Sequence, residues 1–132
     1  MNDLVNVEGM SFEVLNEGIT WDWETFPEFM TYLKGQLDEL ITAYHPGILW
    51  FDGEWEPAWT HERGEDLYNW LRAKDPSLII NNRVDKGRKG MEGHTKDSSF
   101  MGDYGTPEQQ IPATGFGESV SWESCMTMNG TW

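Results

Sequence analysis

The sequence predicts an α/β fold in which short parallel strands alternate with helices. Apolar residues recur at helical spacing in residues 29–41 and again in 63–74, which indicates two amphipathic helices. A short apolar run follows each of these segments, at 48–51 and at 78–80, and such runs suit buried strands. Because the links between the segments are short, the order helix–strand–helix–strand implies right-handed parallel crossovers.

The first helix is predicted to begin at Thr25 as its N-cap, with Pro27 in the first turn and Glu28 near the positive end of the helix dipole. It is predicted to end at residues 45–47, where His-Pro-Gly places a proline that cannot continue a helix. Upstream, residues 12–15 are a candidate short strand. The predicted apolar face of the helix consists of Phe29, Tyr32, Leu33, Leu37, Leu40 and Ile41.

Three strands are predicted along the chain. The central strand, residues 48–51, is expected to be buried on both faces, and the next strand covers residues 78–83. A third and shorter strand is predicted at 119–123. Between the last two, residues 84–117 lack periodicity and are predicted as a long functional loop, with a mobile-looking stretch at 86–93.

The second helix lies between the first two strands and is predicted over residues 63–74. The residues Asp75-Pro76 stop it, since proline cannot continue a helix. Its predicted inner face consists of Leu67, Trp70 and Leu71.

Polar or charged residues follow each predicted strand. Asp52 ends the first, Asn82-Arg83 the second and Trp122-Glu123 the third. Because the carboxyl ends of parallel strands meet at one edge of a sheet, this recurrence predicts a catalytic rim. Aromatic residues flank Asp52 on both sides, and aromatic faces stack on sugars, so the rim suits a carbohydrate site. The alternative for Asp52 is a turn or a helix N-cap.

Composition narrows the classes of partner. The 132 residues include 9 Lys and Arg against 23 Asp and Glu, a formal charge of −14, which argues against nucleic acid and against an anionic membrane surface. The single Cys125 rules out an internal disulfide and is expected to be a buried thiol. His-x-x-x-His and Cys-x-x-Cys patterns are absent, as are calcium loops and phosphate-binding glycine loops. Neither a metal nor another cofactor is expected.

Paired carboxylates remain as the candidate chemistry. A retaining glycosidase needs an ionised carboxylate beside the anomeric carbon and a protonated acid beside the leaving oxygen. A strand-end Asp52 suits the nucleophile. Spacing alone leaves its partner open among Asp103, Glu108, Glu118 and Glu123.

Four segments together resemble the α-L-fucosidases of glycoside hydrolase family 29. They are Leu-Trp-Phe-Asp-Gly at 49–53, Asn-Asn-Arg at 81–83, Gly-Asp-Tyr-Gly-Thr-Pro-Glu-Gln at 102–109 and Trp-Glu-Ser-Cys-Met-Thr-Met-Asn at 122–129. The resemblance spans roughly residues 21–132. It implies a partial (β/α)8 TIM-like barrel, with residues 1–132 as an incomplete catalytic domain that lacks the N-terminal strands and the C-terminal part.

The resemblance also implies an activity and a set of site residues. The activity is retaining hydrolysis of fucosylated oligosaccharides or glycoconjugates, in a secreted, periplasmic or lysosomal enzyme. Asp52 matches the nucleophile and Glu108 the acid/base, whereas Glu123 is assigned a fixed hydrogen-bonding role. The isolated chain is expected to be inactive and poorly folded. The positions that match substrate-binding residues are Trp50, Arg83, Trp122 and Trp132.

Two alternatives stay open beside this interpretation. The first is another retaining glycosidase on the same barrel, since fold does not fix the substrate. The second is a non-catalytic carbohydrate-binding relative that keeps the aromatic residues without the chemistry.

Overall fold

The computed structural model describes residues 26–88, 99–116 and 120–130. In chain order they form helix α1 (Phe26–Tyr44), strand β1 (Ile48–Leu49), helix α2 (His61–Lys74), strand β2 (Ile79–Ile80), a 3-10 turn (Asn82–Val84), strand β3 (Tyr104–Gly105) and strand β4 (Ser121–Trp122). The predicted N-cap Thr25, the candidate strand at 12–15, Glu118 and Trp132 lie outside the described residues.

Both predicted helices are present. Helix α2 begins at His61, two residues before the predicted start, because the side chain of Thr60 caps it and accepts a hydrogen bond from the main-chain N–H of Arg63. It ends where the N–H of Asp75 donates to the carbonyl of Leu71 at 2.9 Å. Helix α1 ends at Tyr44, directly before the predicted stop at His45.

The strands are parallel and confirm the α/β prediction. Strand β1 pairs with β2, with Leu49 opposite Ile80, and β3 pairs with β4. A single parallel bridge between Asn81 and Tyr104 joins the two pairs. The described strands therefore follow one another across the structure in chain order, with their carboxyl ends on the same side.

Strand β3 lies inside the region predicted as a structureless loop, so that prediction was wrong at this point. The sequence of this segment contains no apolar run that would predict a strand. Hydrogen bonds of Asp103, and not apolar packing, hold the segment against β2. The N–H of Asp103 donates to the carbonyl of Ile80 at 2.8 Å, and its side chain accepts from the N–H of Ile80 at 2.7 Å. Gly102 permits this approach, since a Cβ there would lie 2.5 Å from the Cα of Asn82.

The core lies on one face of the β1–β2 pair. The expectation that residues 48–51 are buried on both faces was wrong, because Ile48 is 57% exposed and Trp50 is 44% exposed. Side chains alternate along a strand, and the two helices cover only the face of Leu49 and Phe51. On α1, Tyr32 and Leu40 are also exposed. The buried core cluster consists of Leu37, Ile41, Leu67, Leu71, Leu78, Ile80 and Val84.

Helix α2 packs directly against the turn that carries Arg83. A Cβ at Gly64 would lie 2.5 Å from the carbonyl oxygen of Val84, so only glycine permits this contact. Next to it, the fully buried carboxylate of Asp85 accepts hydrogen bonds from His61 and from the N–H of Met101. These contacts fix the turn that follows β2.

Candidate active site

Arg83 lies at the centre of the predicted rim. Its side chain is 4% exposed, and the guanidinium donates from Nη1 to Asp52 Oδ1 at 2.9 Å and from Nη2 to Glu108 Oε1 at 2.5 Å. Its Nε donates to Thr106 Oγ1 at 3.0 Å. Three segments that follow different strands therefore meet on one side chain.

Side-chain amides hold these segments in register. Asn81 accepts from the N–H of Phe51 at 2.9 Å and donates to its carbonyl at 2.8 Å, which fixes the chain just before Asp52. The hydroxyl of Thr106 donates to Asn82 Oδ1 at 2.9 Å while it accepts from Arg83. The polar residues Asn81, Asn82 and Thr106 are buried and pair with one another or with backbone groups.

The surroundings of Arg83 favour its charge. Burial alone would lower the pKa of this guanidinium, but the hydrogen bonds to Asp52 and Glu108 outweigh that effect and the pKa is raised. Removing either carboxylate would leave the buried positive charge of Arg83 with fewer partners of opposite charge. The cluster therefore behaves as one electrostatic unit.

Trp50 stacks against the same guanidinium. The Cζ atom of Arg83 lies 4.7 Å from the centroid of the Trp50 ring, within range of a cation–π interaction. The indole N–H of Trp50 donates to a carboxylate oxygen of Glu123. Burial raises the pKa of the nearby Tyr104 to about 12, and the charge of Glu123 adds to this rise. The carboxylate of Glu123 is thus hydrogen-bonded to the aromatic ring that lies on Arg83.

The other candidate acids have different surroundings. Asp103 bonds the backbone of Ile80, the hydroxyl of Tyr68 and Arg72, which ties it to helix α2 and β2. Glu123 is engaged by Trp50. Among the described acids that were open as partners of Asp52, the geometry places Glu108 on the same guanidinium.

Of the two other predicted substrate-binding tryptophans, only Trp122 lies within the described residues, and its ring contacts a different aromatic residue. Trp122 packs edge-on against Phe116, with ring centroids 6.2 Å apart. Trp122 ends β4 and Glu123 follows it directly, and the side chains of successive residues in an extended segment point to opposite faces. Trp132 lies outside the described residues.

The chain turns sharply directly after Glu108. Gln109 adopts a φ of 53°, in the left-handed region that non-glycine residues rarely occupy. Its N–H donates to the carbonyl of Cys125 at 2.9 Å and its side-chain amide donates to Thr127 at 3.1 Å. These bonds hold the strained turn and thereby the direction of Glu108.

Arg88 and Glu54 belong to the site, although sequence reasoning missed both. Arg88 Nη2 donates to Glu108 Oε1 at 3.0 Å and Nε donates to Glu54 Oε1 at 2.7 Å. Both side chains are 7% exposed. The basic run at 86–89 was predicted as mobile-looking, and nothing in its local pattern distinguishes the buried Arg88 from its neighbours.

Cys125 was expected to be a buried thiol, but it is only partly buried. Burial raises the pKa of its thiol, and the nearby positive charge of Arg83 opposes that rise without cancelling it. A raised pKa keeps the group as a thiol, which is a weak nucleophile.

A cavity of about 220 Å³ opens beside Asp52. Its wall is mainly apolar and comes from the first turns of α1 and from the segment between β1 and α2. The residues that line it include Phe26, Phe29, Leu33, Phe51, Trp59 and Arg83.

Residues 26–88, 99–116 and 120–130 contain no group of three His, Cys, Asp or Glu side chains placed to hold a metal ion. No helix in the same ranges has the length and apolarity needed to cross a membrane.

Parallel strands that bring two carboxylates and aromatic rings to one edge define the class, which is that of the glycoside hydrolases. Residues 6–132 match the family model described as alpha-L-fucosidase, and the chain belongs to that family. Among curated relatives, an α-L-fucosidase of Branchiostoma floridae is 30% identical over 97 residues, which cover 71% of this chain and 19% of that protein. An α-L-fucosidase of Dictyostelium discoideum is 28% identical over 102 residues, 73% of this chain and 19% of the relative.

The chain is also similar to solved structures of fucosidases. A family 29 α-L-fucosidase from Bacteroides thetaiotaomicron has a TM-score of 0.61 at 28% identity, with 76% of this chain and 24% of that one covered. A bacterial fucosidase with a monovalent iminocyclitol inhibitor has a TM-score of 0.60 at 25% identity, with 95% of this chain and 28% of that one covered. The chain spans about one-fifth of the length of the curated relatives that it matches.

Proposed function

We propose that this chain works as part of a longer α-L-fucosidase and supplies both of its catalytic carboxylates. The single observation that carries the proposal is the guanidinium of Arg83, which bonds Asp52 through one nitrogen and Glu108 through another. Retaining glycosidases hold their two carboxyl groups about 5–5.5 Å apart. A single guanidinium that bonds both carboxylates is small enough to hold them at a distance of that order.

In the first step, an oxygen of Asp52 attacks the anomeric carbon of an α-L-fucoside. The bond from that carbon to the leaving oxygen breaks, and its electron pair stays on the oxygen. Glu108 gives its proton to the same oxygen, so an alcohol departs and a fucosyl ester of Asp52 remains. Family membership supports the substrate, a fucosylated oligosaccharide or glycoconjugate.

In the second step, water attacks the anomeric carbon and gives a proton to Glu108. The ester bond to Asp52 breaks and its electron pair returns to the carboxylate. One water is consumed, fucose is released with retained configuration, and both carboxyl groups regain their starting protonation states. Trp50 is proposed to contact the sugar from its position on Arg83. For Trp122 and Trp132, the same role rests on the family resemblance alone.

We infer in addition that the 132-residue chain has no activity by itself. The apolar side chains of Ile48 and Ile79 are 57% and 44% exposed on the sheet face that the helices leave uncovered. An uncovered apolar face of this kind is normally packed against further chain. Hydrolysis of an aryl α-L-fucoside by the purified 132-residue chain would contradict this inference.

The function is tested in the full reading frame that contains this chain, hereafter the full-length protein. Asp52→Ala should abolish hydrolysis of an aryl α-L-fucoside, and added azide should restore turnover with the inverted β-fucosyl azide as product, because azide occupies the vacated side of the sugar. Glu108→Ala with azide should give the α-fucosyl azide, since azide then attacks the ester of Asp52. An active wild-type protein whose variants keep full activity would contradict the assignment of these residues.

A further inference from the structure

We propose that Arg88, held in place by Glu54, is a positioning residue that fixes the carboxyl group of Glu108 for proton transfer. The proposal rests on the proposed function, in which Glu108 is the acid/base. It concerns two residues that the catalytic steps themselves do not use.

Arg88 is fixed by three bonds to two separate segments, one that contains Glu54 and one that contains Thr106 and Glu108. Its Nε donates to Glu54 Oε1 at 2.7 Å, its Nη1 to the carbonyl of Thr106 at 3.3 Å and its Nη2 to Glu108 Oε1 at 3.0 Å. The side chain is 7% exposed. Because the guanidinium is planar and rigid, three simultaneous bonds leave it a single orientation.

The two arginines converge on one oxygen of Glu108. Arg83 and Arg88 both donate to Oε1, from 2.5 Å and 3.0 Å. An oxygen that accepts two charge-assisted hydrogen bonds is the less favourable place for a proton. The proton that Glu108 transfers is therefore carried on Oε2, and Arg88 helps to set the direction in which that oxygen points.

Glu54 balances the charge that Arg88 brings to the site. Without a carboxylate of its own, Arg88 would bring a second buried positive charge to the site beside that of Arg83. Asp52 faces the charge of Arg83, and Glu54 faces that of Arg88. Glu54 is 6% exposed, and its Oε2 accepts no hydrogen bond from the part of the chain that the structure describes, so its hydrogen bonding there is concentrated on Arg88.

The test compares two fucosides in the full-length protein. The double variant Glu54→Gln/Arg88→Met removes both members of the buried ion pair together, and Glu108 keeps its bond to Arg83. A dinitrophenyl α-L-fucoside has a leaving group that needs no proton, whereas a fucosyl disaccharide needs one. We expect kcat/KM to fall by about 10- to 100-fold for the disaccharide, a part of the full contribution of a general acid, and to stay nearly unchanged for the dinitrophenyl fucoside.

Two single variants serve as controls. Arg88→Lys keeps the positive charge but lacks the planar fork that makes all three bonds at once, so we expect a smaller loss with the same preference for the disaccharide. Arg72→Met removes another arginine from an ion pair, with Asp103, and should leave the ratio of the two kcat/KM values unchanged.

A loss confined to the disaccharide supports the positioning role. Equal losses on both substrates, or no loss on either, would overturn it, because a purely structural arginine does not distinguish leaving groups. A wild-type protein that hydrolyses neither fucoside would instead overturn the proposed function. The two failures are therefore distinguishable.

Discussion

The half of the chain that contains the two helices and the half that contains β3 and β4 are stabilised in different ways. Apart from Pro107, every buried aliphatic or aromatic side chain of the described residues lies between Phe26 and Val84. The second half relies on polar bonds, such as Asp103 to the N–H of Ile80 and Ser124 to the carbonyl of Gln110. Apolar packing thus builds the support, and polar contacts attach the segment that brings Glu108 to Arg83.

The largest effect on stability is expected in the apolar half. Leu71 is fully buried between α2 and the sheet, and Leu71→Ala removes its contacts and leaves a cavity. We expect a loss of about 2–5 kcal/mol in the free energy of unfolding, measured by urea denaturation of the full-length protein. Leu40→Ala, at an exposed position of α1, is the matched control. A cost below that of the control would contradict the proposed core.

A smaller effect on stability is expected when the hydrogen bond between Asp103 and Ile80, which attaches the β3 segment to β2, is removed. Asp103→Ala leaves the N–H of Ile80 without its side-chain acceptor and Arg72 without its carboxylate. The expected cost is about 1–3 kcal/mol in the same urea experiment. Asp103→Asn keeps an oxygen that can accept from Ile80 and should cost less. If Asn and Ala cost the same, the bond to the backbone would contribute nothing.

The smallest effect concerns the pH dependence of stability at the junction of the two halves. The hydrogen bond to Asp85 raises the pKa of His61 above its ordinary value. The folded state therefore holds the proton more tightly, so this stabilisation is complete below the unfolded pKa and is lost as pH rises through the folded one. His61→Gln should cost more stability near about pH 6 than near about pH 8. A cost independent of pH would contradict the ion pair.

The same contrast explains what the sequence could predict. Both helices follow from the period of their apolar residues and the first two strands from short apolar runs. Each predicted boundary lies within three residues of the observed one. The strand at Tyr104 was missed because polar bonds hold it and leave no periodic pattern. The exposed face of Ile48 was missed because a strand pattern does not reveal whether a second layer covers it.

The candidate site divides in the same way. Asp52, Arg83 and Glu108 were singled out from strand ends and from motif resemblance, and the structure brings them together. Arg88 and Glu54 carry no such signal, because their pairing joins residues 34 positions apart through burial that only the fold creates. Charged residues in a basic run are otherwise expected to be solvated.

The most direct test of the central claim is to identify the residue that the sugar is attached to during turnover. The full-length protein is incubated with 2-fluoro-fucosyl fluoride, whose fluorine slows both steps while the fluoride leaves readily, and the labelled peptide is found by mass spectrometry. We expect one fluorofucosyl group per protein on the peptide that contains Asp52, and none in Asp52→Asn. A label on any other acid of an active enzyme would contradict the assignment of Asp52 as the nucleophile.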